Sequence, residues 1–306
     1  MGYERTLGAA TTTSGIGLHS GTKAALRLLP AAAGSGIQFR RVDLDGFVVE
    51  ARSANIARVS YATSLMKKGV FISTTEHLLS ALVGAGIDNV VAEIDNLEVP
   101  ILDGSALPFM TMIDGAEVKR QGRTRRVVKI VKKVEMREGE KFIGVYPAGS
   151  YRLHYAIDFP HPMIGRQEFS MELTPEAYRR EVAPARTFGF LQDFAAMRRQ
   201  GLIRGGSLEN AVVLDERRVV NGELRYGDEF VRHKMLDLIG DLALLGAPLQ
   251  AEVVADRAGH ALHTALVKKL LADHSLWEFT EVEERHEAPP QAAGYATIMS
   301  EKTTTL

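Results

Sequence analysis

The chain contains no cysteine. That excludes disulfides, thiol nucleophiles and thiolate metal sites together, so any metal must be held by His, Asp or Glu. An excess of one charge is also missing: 37 Lys and Arg stand against 38 Asp and Glu, a formal net charge of −1. Without a basic field, no nucleic acid partner is expected. No run approaches the ~20 apolar residues needed to cross a bilayer. Residues 1–10 carry Glu4 and Arg5 and lack the apolar centre of a secretion signal. A cytoplasmic enzyme or binding protein is the expectation.

What is present suffices for two cores. The 306 residues are 45% hydrophobic and 25% charged, ordinary for a globular chain. Residues 6–21, rich in Thr, Ser and Gly, suit a strand ending in a tight turn, and lack the dinucleotide fingerprint. Alternation over 24–29 and 36–42 predicts an early hairpin. Ser73 and Glu76 have capping-box spacing at the head of a helix that Gly84 and Gly86 end. A β-rich run at 89–94, a turn at 100–106 and a helix over 108–116 follow. Residues 115–126 are polar and basic without apolar period, which predicts a solvated linker.

β structure restarts at 127–131 and continues at 142–146 and 151–159. A helix is expected within 178–200, strands at 208–214 and 249–255, and helices from about His233 to Gly246 and Gly259 to Leu271. Each half reads as strands first and helices later, which predicts an α+β fold of two related units, not alternating βαβ. The units are residues 1–122 and 123–280, and 281–306 read as a poorly ordered tail.

The chemistry concentrates in one helix. His233, Asp237 and Asp241 lie at i, i+4 and i+8, a polar stripe among Leu236, Leu238, Ile239, Leu242 and Leu244. Such a stripe is costly unless satisfied. An imidazole and a carboxylate one turn apart suit a divalent metal, but they equally suit a buried His–Asp hydrogen bond. The dipeptide Glu76-His77 competes for the same metal. Together His77, His233 and Asp237 supply the three N/O ligands of a hydrolytic zinc site with one open position, and Glu76 is placed to take a proton. His260 opens a helix, where it needs a carboxylate to stay protonated, and Asp241 is the natural candidate. His19, His154, His161, His263, His274 and His286 read as loop, surface or satisfied interior residues.

The segments at 14–21, 73–77, 103–106, 185–190 and 228–237 occur in an order that resembles the UDP-3-O-acyl-N-acetylglucosamine deacetylase family of lipid A biosynthesis in Gram-negative bacteria. The likeness extends to about residue 280. It implies two similarly folded domains, each a layered sheet-and-helix sandwich, with the active site in the cleft between them. It also implies a zinc hydrolase that removes acetyl from an acylated UDP-sugar, the committed step of that pathway. His77, His233 and Asp237 would hold one Zn2+, Fe2+ being chemically compatible with such a site. Glu76 would be the general base, His260 the general acid and Asp241 its support, with Thr187 and Lys234 stabilising charge.

The resemblance places Phe188 on the sugar, Leu18 at the substrate, and Phe190, Gly206, Ser207 and Val213 along an acyl passage. It places Phe159, Lys141, Asp193 and Arg257 toward the nucleotide. Read from the residues alone, Phe188 and Phe190 are plain core. His263 stands where this family commonly has Asn, and residues 60–64 hold no cysteine. The expected protein is a cytoplasmic monomer that its acylated substrate draws near the inner membrane. A non-catalytic sugar-nucleotide binder, or a zinc enzyme for another N-acylated or phosphorylated substrate, are the competing readings.

Overall fold

The computed structural model describes residues 2–57 and 59–281. Two five-stranded sheets share one plan. The first runs Thr11–Ile16, Lys23–Pro30, Val90–Ile94, Ile37–Arg41, Phe47–Glu50. The second runs Val134–Glu138, Lys141–Tyr146, Glu252–Asp256, Arg152–Phe159, Gly165–Glu172. In each, two hairpins flank a strand supplied late in the chain, antiparallel to one neighbour and parallel to the other. The expected α+β class and paired units are present. Residues 24–29 and 36–42 do not form the expected hairpin, because Val90–Ile94 lies between them. That strand is buried at four of its five positions, and a run covered on both faces belongs at a sheet centre.

Six helices complete the described residues: α1 (Glu76–Gly84), α2 (Leu107–Ala116), α3 (Pro175–Glu181), α4 (Leu191–Arg199), α5 (Glu229–Leu242) and α6 (His260–Ala272). Helices α1 and α2 bracket the central strand of the first sheet as α5 and α6 bracket that of the second, so the repeat includes its helices. Between the second sheet and α5 the chain adds α3, α4 and a parallel pair, Phe188–Phe190 with Val212–Leu214.

Several local expectations change. Ser73 does not cap α1. It bridges to Glu98 in extended conformation, Thr74 turns through φ 56°, and the Glu76 carboxylate accepts from Thr63 N–H instead. Residues 115–126 are not a linker: Val118–Thr124 pairs antiparallel with Tyr3–Leu7, and the border at 122/123 falls inside that strand. A ribbon exposed on both faces carries no apolar period, which is why it reads as solvated chain. The stretch at 178–200 divides into α3 and α4. The run at 249–255 splits into Leu249–Gln250 and Glu252–Asp256, which serve different sheets. Trp277–Glu281, an unanticipated strand, pairs with Arg126–Ile130. Of the expected tail, Glu281 ends this strand and 282–306 lie outside the described residues.

The helices α1 and α5 pack against each other at the junction of the halves. Every residue from Glu76 to Leu82 is buried, and Leu78, Leu79 and Leu82 each contribute about 1.5–3 kcal/mol on burial. The closest approach is at Gly240, where an added Cβ would stand 2.1 Å from the Glu76 carbonyl oxygen. Backbone cannot give way as a flexible side chain can. Gly240→Ala is therefore expected to destabilise the fold by about 1–3 kcal/mol or more, measurable by denaturant unfolding, whereas Gly139→Ala meets no neighbour within 4 Å and tests only the cost of its left-handed turn.

Candidate active site and metal centre

The crossing brings the first turn of α1 against the polar stripe of α5. His77, His233 and Asp237, all buried, offer ligand atoms within 4.8 Å of one another. Asp237 Oδ1 lies 3.6 Å from His77 Nε2 and 3.5 Å from His233 Nε2. Tetrahedral zinc with bonds of about 2.0–2.2 Å separates its ligand atoms by roughly 3.4 Å, so the donor set fits such an ion.

Neighbouring groups aim two of these donors, His233 and Asp237. His233 Nδ1 faces the Ala185 carbonyl at 3.1 Å, which fixes the proton there and leaves the Nε2 lone pair available. Burial pushes the His233 pKa down to about 3, keeping the ring neutral. Lys234 Nζ donates to Asp237 Oδ2 at 2.9 Å, leaving Oδ1 for the centre. Burial alone would raise Asp237, but the Lys234 ammonium beside it outweighs this and holds the carboxyl well below its ordinary range.

Ala185 owes its position to a buried ion pair. Glu229 Oε1 accepts from Arg186 Nε at 2.8 Å and from Arg186 N at 3.0 Å, tying this segment to the head of α5. Thr187 is fixed from the other side, its N–H donating to Gly104 O at 2.8 Å. The 103–106 motif thus serves as a clamp, with Asp103 Oδ1 accepting from Ser105 and Oδ2 from Arg225.

Two titratable groups flank the cluster. Glu76 is pushed up to about 7 by burial, and one of its oxygens is held by Thr63 N–H at 3.0 Å. His260 Nδ1 donates to Asp241 Oδ2 at 2.7 Å, leaving Nε2 for the cavity. Burial would lower His260, yet the charge and hydrogen bond of Asp241 prevail and raise it to about 9. Asp241 also accepts from Thr63 Oγ1 at 2.5 Å and from His263 Nδ1 at 2.8 Å. Asp241, His260 and His263 could by proximity hold a second ion. Both imidazole Nδ1 atoms stand at N–H···O distance from one carboxylate oxygen, so this group is hydrogen-bonded instead.

These side chains open on a cavity of about 340 Å³ lined from both halves. Leu18, Glu76, His77, Phe159, Thr187, Phe188, Phe190, Asp193, Gly206, Ser207, His233, Lys234, Asp237 and His260 all line it. Phe188 and Phe190 are therefore not plain core. Asp241 lies behind His260, fully buried. Val213 does not reach the cavity. It is fully buried in the strand beside Phe188–Phe190, and Ala211 takes the wall position. Lys141 and Arg257 line an adjoining space of about 440 Å³ that shares Phe159 and Lys234.

Other participants stand outside the candidate set. His19 lines the cavity and is no ordinary loop residue. Buried Glu98 accepts from His19 N, Ser20 N and Thr74 Oγ1, fastening the 15–21 turn beside α1. Thr63, in a stretch without periodicity, reaches both Glu76 and Asp241. His154 and His161 are satisfied by Glu252 and by Asp215 O, His274 stacks on Trp277, and His286 lies outside the described residues.

Fold and site together define a duplicated α+β protein with a His2Asp metal-type centre in a cavity shared by its halves. No helix among the described residues is long and apolar enough to cross a membrane. The chain belongs to the UDP-3-O-acyl-N-acetylglucosamine deacetylase family: a family model described as UDP-3-O-acyl N-acetylglycosamine deacetylase matches residues 4–272. A UDP-3-O-acyl-N-acetylglucosamine deacetylase of Solibacter usitatus (strain Ellin6076) is 50% identical over 279 residues, 91% of this chain and 94% of the relative.

Two measurements check the site's construction. Zinc titration of metal-stripped protein is expected to give about one tight site per chain, lost in His77→Ala and retained in Glu76→Ala. Removing Glu229 as Glu229→Ala strands a largely buried guanidinium and should cost about 3–5 kcal/mol in denaturant unfolding.

Proposed function

We propose that the chain removes the N-acetyl group of a UDP-3-O-acyl-N-acetylglucosamine, using one zinc ion held by His77, His233 and Asp237. The observation that carries this reading is the convergence, in one cavity, of that triad with an acid–base pair on separate elements: Glu76 with one oxygen engaged by Thr63, and His260 backed by Asp241. Zinc, when bound, polarises a carbonyl and acidifies water. The remaining chemistry belongs to side chains. An amide has a weak electrophilic carbon and a poor leaving group, so base, acid and oxyanion donors are all required.

In this reading the Glu76 carboxylate takes the proton of the attacking water. The Thr187 hydroxyl and the Lys234 ammonium stabilise the oxyanion that develops on the carbonyl oxygen. His260 then delivers its Nε2 proton to the departing nitrogen, so that acetate and a free amine leave. Asp241 holds the imidazole in the tautomer that presents this proton. The apolar arm formed by Leu18, Phe190, Phe194, Met197 and Ile203 suits an acyl chain. Lys141 and Arg257, beyond Phe159, suit the diphosphate side.

Incubating the metal-loaded protein with UDP-3-O-acyl-N-acetylglucosamine should release acetate and expose one amine per turnover. Absence of both products would end the proposal. Glu76→Ala should keep its zinc yet lose about 10²–10⁴ in kcat. Glu76 must be ionised and His260 protonated, so kcat/KM should fall below about 7, or a lower value once a dication favours the carboxylate, and again above about 9.

A further inference from the structure

His263 has no part in the mechanism above, yet it is fully buried beside it. It stands three residues after His260 on α6, on the same helix face. Its Nδ1 lies 2.8 Å from Asp241 Oδ2, and the same oxygen lies 2.7 Å from His260 Nδ1. An ionised carboxylate only accepts, so both imidazoles present N–H to it. The far edge of His263 is fixed as well. Nε2 is 3.0 Å from the Tyr155 hydroxyl, which donates to Ala258 O at 2.7 Å. The ring meets Tyr155 edge-on, centroids 5.8 Å apart, and His260 edge-on at 6.2 Å.

We propose that His263 is a positioning residue for the proton donor: by giving a second N–H to the Asp241 oxygen that holds His260, it divides that carboxylate and keeps His260 a strong enough acid. The inference rests on the assignment of His260 as general acid. An imidazolium facing an undivided carboxylate in a dry site is held so firmly that it surrenders its proton reluctantly, and proton donors work best with a pKa near the operating pH. A second donor at the same oxygen withdraws part of that hold. The direction is the same whether His263 is neutral or charged, since a dipole or a cation near His260 each favours proton release. The other groups around His260 push the opposite way: Asp241 from α5, and more distantly Asp237 and Glu76, all favour the protonated form. Burial and the N–H that His263 gives to Asp241 act against them.

The test compares the metal-loaded parent with His263→Leu and His263→Asn across pH. The Leu variant removes the N–H donor; its alkaline limb should move up by about half to one unit, with kcat at neutral pH reduced several-fold and KM unchanged. The Asn variant retains an amide N–H, and should recover most of the activity and the parental limb. Nitrogen-15 spectra of labelled histidines give a second readout. His263 Nδ1 should carry a proton throughout the active pH range of the parent, and the His260 midpoint should rise in the Leu variant in step with the limb.

An unmoved or lowered limb in the Leu variant overturns the proposal. So does an Asn variant whose alkaline limb rises above the parent's by about half a unit or more, or a parent whose His263 Nδ1 lacks its proton. The last two readings decide the matter even if the Leu variant fails to fold. Persistence of the parental alkaline limb in His260→Ala would instead remove the general-acid assignment, while leaving the His263 proton visible in the spectra.

Discussion

The contact of α1 with α5 at Gly240 is the constraint on which the rest depends. It is a backbone-to-backbone approach, available only because position 240 lacks a Cβ. That approach sets the first turn of α1, with Glu76 and His77, against the His233 and Asp237 face of α5. Neither helix carries a complete donor set. The two sheets, built on one plan, act as platforms that hold equivalent helices in register. The polar stripe of α5 would be a liability in a conventional core, and at this seam it is satisfied from the opposite half.

Around that seam each charged group has a partner that fixes both its orientation and its protonation. Asp237 divides its oxygens between Lys234 and the ligand cluster. Asp241 divides its own between Thr63 on one side and two imidazoles on the other. Thr63 links Glu76 and Asp241 directly, its N–H holding the first and its hydroxyl the second. The carboxylates on the two sides of the cavity are therefore mechanically joined through one residue. Displacing that residue would disturb both together.

The four-residue spacing of His233, Asp237 and Asp241 is visible in the chain because helical period converts sequence separation directly into a shared face. The pairing of His77 with that face is not visible, since 156 residues separate His77 from His233 and only the tertiary repeat joins them. Family likeness supplied that link. Glu98 and Thr63 escaped because their work is done by single side chains reaching distant backbone, which leaves no periodic trace. The apparent capping box misleads for a related reason: Glu76 has the right spacing, but Thr63 offers its carboxylate a better-placed donor. Val118–Thr124 reads as linker because a ribbon with two wet faces has the composition of a loop. The early hairpin fails because nothing local in residues 24–42 announces that a later strand will enter between them.

Helix α4 has no buried residue, although Asp193, Phe194 and Met197 form one wall of the cavity. A wall made from core residues could be reshaped only at the expense of folding. One borne on a surface helix can be lengthened, narrowed or re-contoured while the packed seam of α1 and α5 stays untouched. The contour of this wall is thus separable from stability and can be redrawn by design at little thermodynamic risk.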